Sequence, residues 1–268
     1  MGKALAETFD ICRQTFTEAD EALGEELSAL CFDGPADRLM LTENAQAAML
    51  AVSIAAHRLL RSKGLQPAFV AGHSLGEYSA NVAAGTMAFA DALRIVRRRG
   101  QYMQEAVPVG MGAMAAILGL DADKVEQACR EAAEGEVVSP ANINGGGQIV
   151  ISGAREAVAR AGERAKALGA RRVIPLEVSA PFHCALMKPA EQRLAPELRA
   201  LTVQNPTVPI VANVDADIKR TGAAAVVAGD AATGVVGVGD AGQADVLQPV
   251  VGDRRRGVVA QLDGGDVV

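Results

Sequence analysis

The sequence predicts an α/β fold in which a small subdomain is inserted into a larger one, on three observations. A short apolar strand runs into a Gly-x-Ser-x-Gly turn at residues 72–76 and straight on into a helix. Between residues 110 and 179, stretches of strand and helix periodicity follow one another as β-α-β-β-α-β, the ferredoxin-like pattern. Half of the 268 residues are hydrophobic but only 3% are aromatic, so the core is expected to be Ala, Val and Leu.

The elements follow in order. Leu5, Phe9, Cys12 and Phe16 recur at helical spacing, so the chain is expected to open in one helix with no strand before it. A second helix, rich in Ala, Met, Leu and Ile, is predicted over about 43–61. LQPAFVAG reads as a short buried strand, GHSLG as a sharp turn, EYSANVAAG as the helix leaving it, and about 89–106 as a further helix. In the small subdomain, GAMAAILGL, EVVSPANI, GQIVISG and ARRVIPLEVS read as strands, with a turn at Asn144-Gly145-Gly146-Gly147. DADKVEQACREAAEG and REAVARAGERAKALG read as its helices. A helix over about 188–201 and the strand VPIVANV follow. From Thr221 the composition changes: Val, Gly, Ala and Asp make up 37 of the last 48 residues, and Gly interrupts every apolar run. That predicts a low-complexity, disordered tail over 221–268. The large subdomain is then 1–109 with 180–220, and the small one 110–179.

The charge balance narrows the partners. Lys and Arg number 26 against 32 Asp and Glu, a net charge of −6, which argues against a general nucleic-acid binder. The longest apolar run, near AMLAVSIAA, is too short to span a bilayer, and no signal peptide opens the sequence. The four cysteines Cys12, Cys31, Cys129 and Cys184 form no CxxC pair and no zinc pattern, so a reduced, cytoplasmic protein without metal or cofactor is expected.

The chemistry centres on the turn. A strand–turn–helix elbow exposes the Ser74 hydroxyl at a helix start, where the Leu75 N–H and the positive helix end can face an oxyanion. The two glycines are expected to let strand and helix approach closely. A nucleophilic serine needs a base. His73 is too close along the turn to reach the same hydroxyl, and His57 lies within a long helix. His183, after the strand VIPLEVS and a Pro-Phe turn, is the candidate. On helix 89–106, Phe89, Ala92, Leu93, Val96 and Met103 mark an apolar stripe. Arg94, Arg97 and Arg98 point away from it and are expected to be solvated, whereas Arg99 lies on its flank. A buried-side arginine needs an acceptor, either an internal salt bridge or the carboxylate of a substrate.

GHSLGEYSA, the Arg99-Gly100 end of the following helix, GAMAAILGL, SPANINGGGQIVISG and SAPFHCALMKP together resemble the malonyl-CoA:acyl carrier protein transacylases of fatty acid synthesis, from Met1 to about Arg220. The resemblance implies an α/β-hydrolase-like large subdomain with a ferredoxin-like insert. It implies that Ser74 takes the malonyl group as an ester, that His183 serves as base and acid, that Arg99 holds the malonyl carboxylate and that Leu75 N–H helps form the oxyanion hole. The partners implied are malonyl-CoA and acyl carrier protein, whose phosphopantetheine thiol accepts the acyl group.

Two departures accompany the resemblance. The family's first strand and its Gly-Gln-Gly-Ser-Gln loop, which holds a second oxyanion donor, precede the part matched here. The family's Glu-Val-Gly-Pro-Gly segment, and the glutamine whose carbonyl orients the histidine, are not visible after Arg220, where the tail resembles a shifted reading frame. These predict a marginally stable chain of low activity. Two alternatives stand beside the transferase. A serine ester or thioester hydrolase would draw an acid from Asp91, Asp121 or Asp123, each of which reads better as a helix cap. The other is an inactive truncated fragment.

Overall fold

The computed structural model describes residues 1–225. Two compact units share them, one made of Met1–Gly100 with the described part of Ala195–Asp230, the other of Gln101–Leu194.

The chain opens in α1 (Lys3–Thr8) and α2 (Asp10–Leu23), two helices where one was expected. Phe9 between them is extended, with φ −127° and ψ 121°. The apolar spacing runs on across the break: Cys12 and Phe16 are buried, and Leu5 and Phe9 half-buried. Two short helices not foreseen, α3 (Leu27–Asp33) and α4 (Ala36–Met40), lead to α5 (Thr42–Ser62). One face of α5, with Ala47, Ala48, Leu50, Ala51, Ile54 and Ala55, is buried. Its small side chains admit α2, and the Cys12 thiol lies 3.5 Å from Ala55 O. β1 (Val70–Ala71), α6 (Leu75–Ala83) and α7 (Phe89–Ala106) come next.

In the second unit, β2 (Gly112–Leu118), α8 (Ala122–Ala132), β3 (Val138–Ile143), β4 (Gln148–Ala154), α9 (Arg155–Ala167) and β5 (Arg172–Pro175) follow in that order. The strands form an antiparallel sheet in the order β3-β4-β2-β5. Alternation divides its faces. Ala115 and Ile117 of β2, with Ile149 and Ile151 of β4, pack under Val125, Cys129, Val158 and Ala161 of the two helices. Met114, Ala116 and Val150 face the other way, toward Leu176, Val178 and Phe182. The β3–β4 turn uses φ of +74°, +57° and +77° at Gly145, Gly146 and Gly147, a region open to glycine.

The chain continues through a 3₁₀ turn (Ala185–Met187), α10 (Lys188–Arg199), β6 (Ile210–Val211) and β7 (Ile218–Lys219). In the first unit β1 pairs parallel with β6, and β6 antiparallel with β7. The pairing is shorter than the apolar runs LQPAFVAG and VPIVANV suggest. Ala225 packs with Ala80, Ala84 and Ile210; the rest of the predicted tail, from residue 226, lies outside the described residues. No helix among the described residues is long and apolar enough to cross a membrane. All four cysteines are buried and free.

Candidate active site

The elbow is built where β1 ends. Ser74 adopts φ 52° and ψ −111°, a conformation disfavoured for a side-chain-bearing residue. The close approach rests on one glycine of the two: a Cβ at Gly72 would lie 2.0 Å from Gly76 O, whereas a Cβ at Gly76 would meet open space. Asn213, just beyond β6, spans the turn. Its Oδ1 accepts the Ser74 N–H at 2.6 Å and its Nδ2 donates to Gly72 O at 2.5 Å. The Gly76 and Glu77 N–H groups donate to His73 O and Ser74 O. The Leu75 N–H, first in the helix, meets no acceptor among the described residues.

Arg99 comes to the same place from α7. It is 2% exposed, and its Nη2 donates to Ser74 Oγ at 3.1 Å. Nη1 donates to Gln46 Oε1, and Gln46 Nε2 in turn donates to Thr42 Oγ1 at 2.9 Å. The guanidinium lies 5.6 Å from the Tyr78 ring centroid. Burial lowers the pKa of Arg99, opposed by Tyr78 and Glu77. No carboxylate among the described residues forms an ion pair with it, and its Nε is buried without a partner. What holds α7 this close to α5 is Gly100, where a Cβ would stand 2.4 Å from Glu43 Cα.

The other arginines of this helix divide. Arg94 and Arg98 are about half exposed and pair with Asp91 and Glu197. Arg97, expected in solvent, is 13% exposed in its side chain. It pairs with Glu25 and donates to Glu43 O and Asn44 Oδ1, because residues before and within α5 cover that side of α7.

His183 belongs to the second unit. It takes φ +56° and is half-buried, between two anchors. Phe182 packs against the sheet face that carries Met114, Ala116 and Val150. Cys184 is fully buried, its thiol 3.2 Å from Pro181 O. A Cβ at Gly112 would stand 2.3 Å from Pro181 Cγ, so the loop presses on the start of β2. His57 is half-buried on α5, its pKa lowered by burial and then by Arg61 and Arg58. Of the alternative acids, Asp91 pairs with Arg94. Asp121 stands at the α8 cap position without a side-chain capping bond, and Asp123 lies in that helix's first turn. Among the described residues no cluster of His, Cys, Asp or Glu is set to hold a metal ion.

A family model described as the acyl transferase domain matches residues 1–231. The malonyl CoA-acyl carrier protein transacylase of Escherichia coli strain K12 is 54% identical over 219 residues, which are 81% of this chain and 71% of that protein. The chain belongs to this transacylase family. The Bacillus subtilis family member is 52% identical over 219 residues, 81% of this chain and 69% of its own. Among solved structures, an acyl carrier protein S-malonyltransferase from Vibrio cholerae superposes with a TM-score of 0.82 at 48% identity, over 86% of this chain and 76% of that one. A malonyl-transacylase in complex with a type II polyketide acyl carrier protein gives a TM-score of 0.85 at 47% identity, over 88% and 76%.

Within this transacylase chain, Ser74, Leu75 and Arg99 lie together at the turn. Gln46, Glu77 and Asn213 join them unforeseen. Asn213 stands at a strand end, the same signal that marked His183. Gln46 is a polar interruption in the alanine-rich face of α5, and Glu77 reads from sequence as an ordinary acid in a first helical turn.

Proposed function

We propose that the chain moves a malonyl group from malonyl-CoA to the phosphopantetheine thiol of acyl carrier protein, a step of fatty acid biosynthesis in the cytoplasm. The observation that carries this reading is Arg99: a buried guanidinium 3.1 Å from Ser74 Oγ, without a carboxylate partner among the described residues. A buried cation that no carboxylate pairs with directly is unfavourable, and a substrate that brings its own carboxylate relieves that penalty. The fork of donors fits a carboxylate end-on and fixes the acyl group beside the nucleophile.

In this reading Ser74 Oγ attacks the thioester carbonyl as its proton passes to His183. The C–S bond breaks, and coenzyme A leaves as a thiol with that proton. The carrier thiol then gives its proton to His183 and attacks the Ser74 ester. The C–O bond breaks and the proton returns to Oγ. The Leu75 N–H faces the oxyanion in both steps. We assign these roles to an α/β-hydrolase-like subdomain, 1–109 with 180–220, which takes residues 101–109 and 180–194 from the second compact unit, and to a ferredoxin-like insert, 110–179. The β-α-β-β-α-β succession and the sheet order β3-β4-β2-β5 support the insert.

Mass spectrometry of the protein after malonyl-CoA treatment, with and without acyl carrier protein, tests this. A malonyl adduct on the Ser74 peptide that moves to the carrier thiol is the expected result. An adduct released to water regardless of carrier would replace the transferase by a hydrolase, and no adduct would overturn both.

A further inference from the structure

We propose that Asn213, backed by the buried carboxyl of Glu77, is a positioning residue: it holds the Ser74 elbow in its strained form and leaves the Leu75 N–H as the donor facing the oxyanion. The inference rests on the function proposed above. Ser74 sits at φ 52° and ψ −111°, and such a backbone persists only where its surroundings over-determine it. Asn213 supplies that constraint from both sides. Its amide oxygen takes the Ser74 N–H and its amide nitrogen binds Gly72 O, so the two arms of the turn are tied to one planar group.

The choice of which N–H is engaged has a chemical consequence. Ser74 and Leu75 present successive backbone donors at the turn. With the Ser74 N–H accepted at 2.6 Å, the Leu75 N–H remains for a developing charge. Without Asn213, the Ser74 N–H would lose its acceptor and the peptide could rotate toward ordinary backbone angles, carrying the Leu75 N–H with it.

Glu77 closes the arrangement from beneath. It is fully buried, and its Oε1 accepts the Asn213 backbone N–H at 3.3 Å. Its other oxygen is buried without a partner. An acid so placed contributes no surface charge and no capping bond; its described hydrogen bond is the one that locates Asn213. That contact also reaches along the chain from α6 to residue 213, joining the two segments that build the elbow.

The test compares Asn213→Ala, Asn213→Asp and Glu77→Gln with the parent protein, by amide hydrogen exchange in proton–nitrogen correlation spectra and by single-turnover acylation of Ser74. Asn213→Ala should lose protection at the Ser74 amide and slow acylation by about 10²-fold, the scale of losing an oxyanion donor. The KM for malonyl-CoA should stay within about two-fold, because Arg99 is untouched. Asn213→Asp keeps the acceptor, and Glu77→Gln keeps an oxygen for the Asn213 N–H, so both should fall between. An unchanged Ser74 amide in Asn213→Ala would overturn the proposal, as would a rise in KM that accounts for the whole loss. A parent protein that takes no malonyl label fails the proposed function alone, and the amide signature then decides the positioning role by itself.

Discussion

Arg99 carries a positive charge into a site where it meets the Ser74 hydroxyl and the Gln46 amide but no carboxylate among the described residues. Neutral partners solvate such a charge incompletely, so the residue should discriminate substrates by charge. Arg99→Ala is expected to slow malonyl transfer by about 10²-fold or more while leaving acetyl transfer equal or faster, since a charge-assisted fork is lost for one substrate alone. Competing malonyl-CoA against acetyl-CoA in steady-state kinetics checks it; equal losses would reduce Arg99 to a packing role. Ser74→Ala should abolish the ester. His183→Ala should slow acylation by roughly 10²–10⁴-fold, the range for losing a general base, read by single-turnover mass spectrometry with excess malonyl-CoA.

Among the elements, the crossing of α5 and α7 leaves no room for a side chain at Gly100. A methyl at Gly100 would stand 2.4 Å from Glu43 Cα and 2.7 Å from Thr42 O, both backbone atoms that cannot rotate aside. Gly100→Ala should therefore spread the helices, destabilise by about 1–3 kcal/mol and draw Arg99 from Gln46. A lower melting temperature together with weaker malonyl-over-acetyl preference is the expected pair of results. α6 offers a second test through Glu77, whose pKa is pushed up from 4.5 to about 7. Burial is the main cause and Asp215 adds to it, while the Asn213 N–H, Arg99 and Lys219 oppose it. Between those two values the native protein keeps a proton that the unfolded chain releases, so stability falls as pH rises through the window. The decline is on the order of 3 kcal/mol. Glu77→Gln does not titrate, so it should gain relative to the parent in denaturant unfolding at pH 8 compared with pH 5. A constant difference at the two pH values would contradict the shift.

These elements also show what a sequence can disclose. The elbow was legible because strand, Gly-x-Ser-x-Gly and helix are contiguous, and the four strands of the second unit because they are short runs set off by helical stretches and by the turn at Asn144–Gly147. Asn213 was not, since it lies 139 residues from Ser74 and no local pattern joins them. The break at Phe9 escaped because apolar spacing continues across it. Arg97 was misplaced for a related reason: the stripe of one helix says which side is apolar, but not whether Glu25 and Asn44 will cover the polar side.

For the whole molecule, the question is where a chain of net charge −6 keeps positive potential that can steer a carrier protein. What counts there is charge not already neutralised by a neighbour. Arg94 and Arg98 are exposed but paired with Asp91 at 3.0 Å and Glu197 at 2.8 Å, so their fields are largely cancelled. Arg171 and Arg172 are exposed and form no ion pair among the described residues. They sit together at the start of β5, where Arg172 pairs in register with Leu118. Reversing Arg171 and Arg172 to Glu should therefore lower kcat/KM for acyl carrier protein by about ten-fold at low salt and flatten its dependence on ionic strength. The same change at Arg94 and Arg98 should have a smaller effect, because each reversal also leaves an acid unpaired. Acylation by malonyl-CoA, measured in parallel, should be unaffected in both. An unchanged salt dependence in Arg171→Glu/Arg172→Glu would show that steering resides elsewhere on the surface.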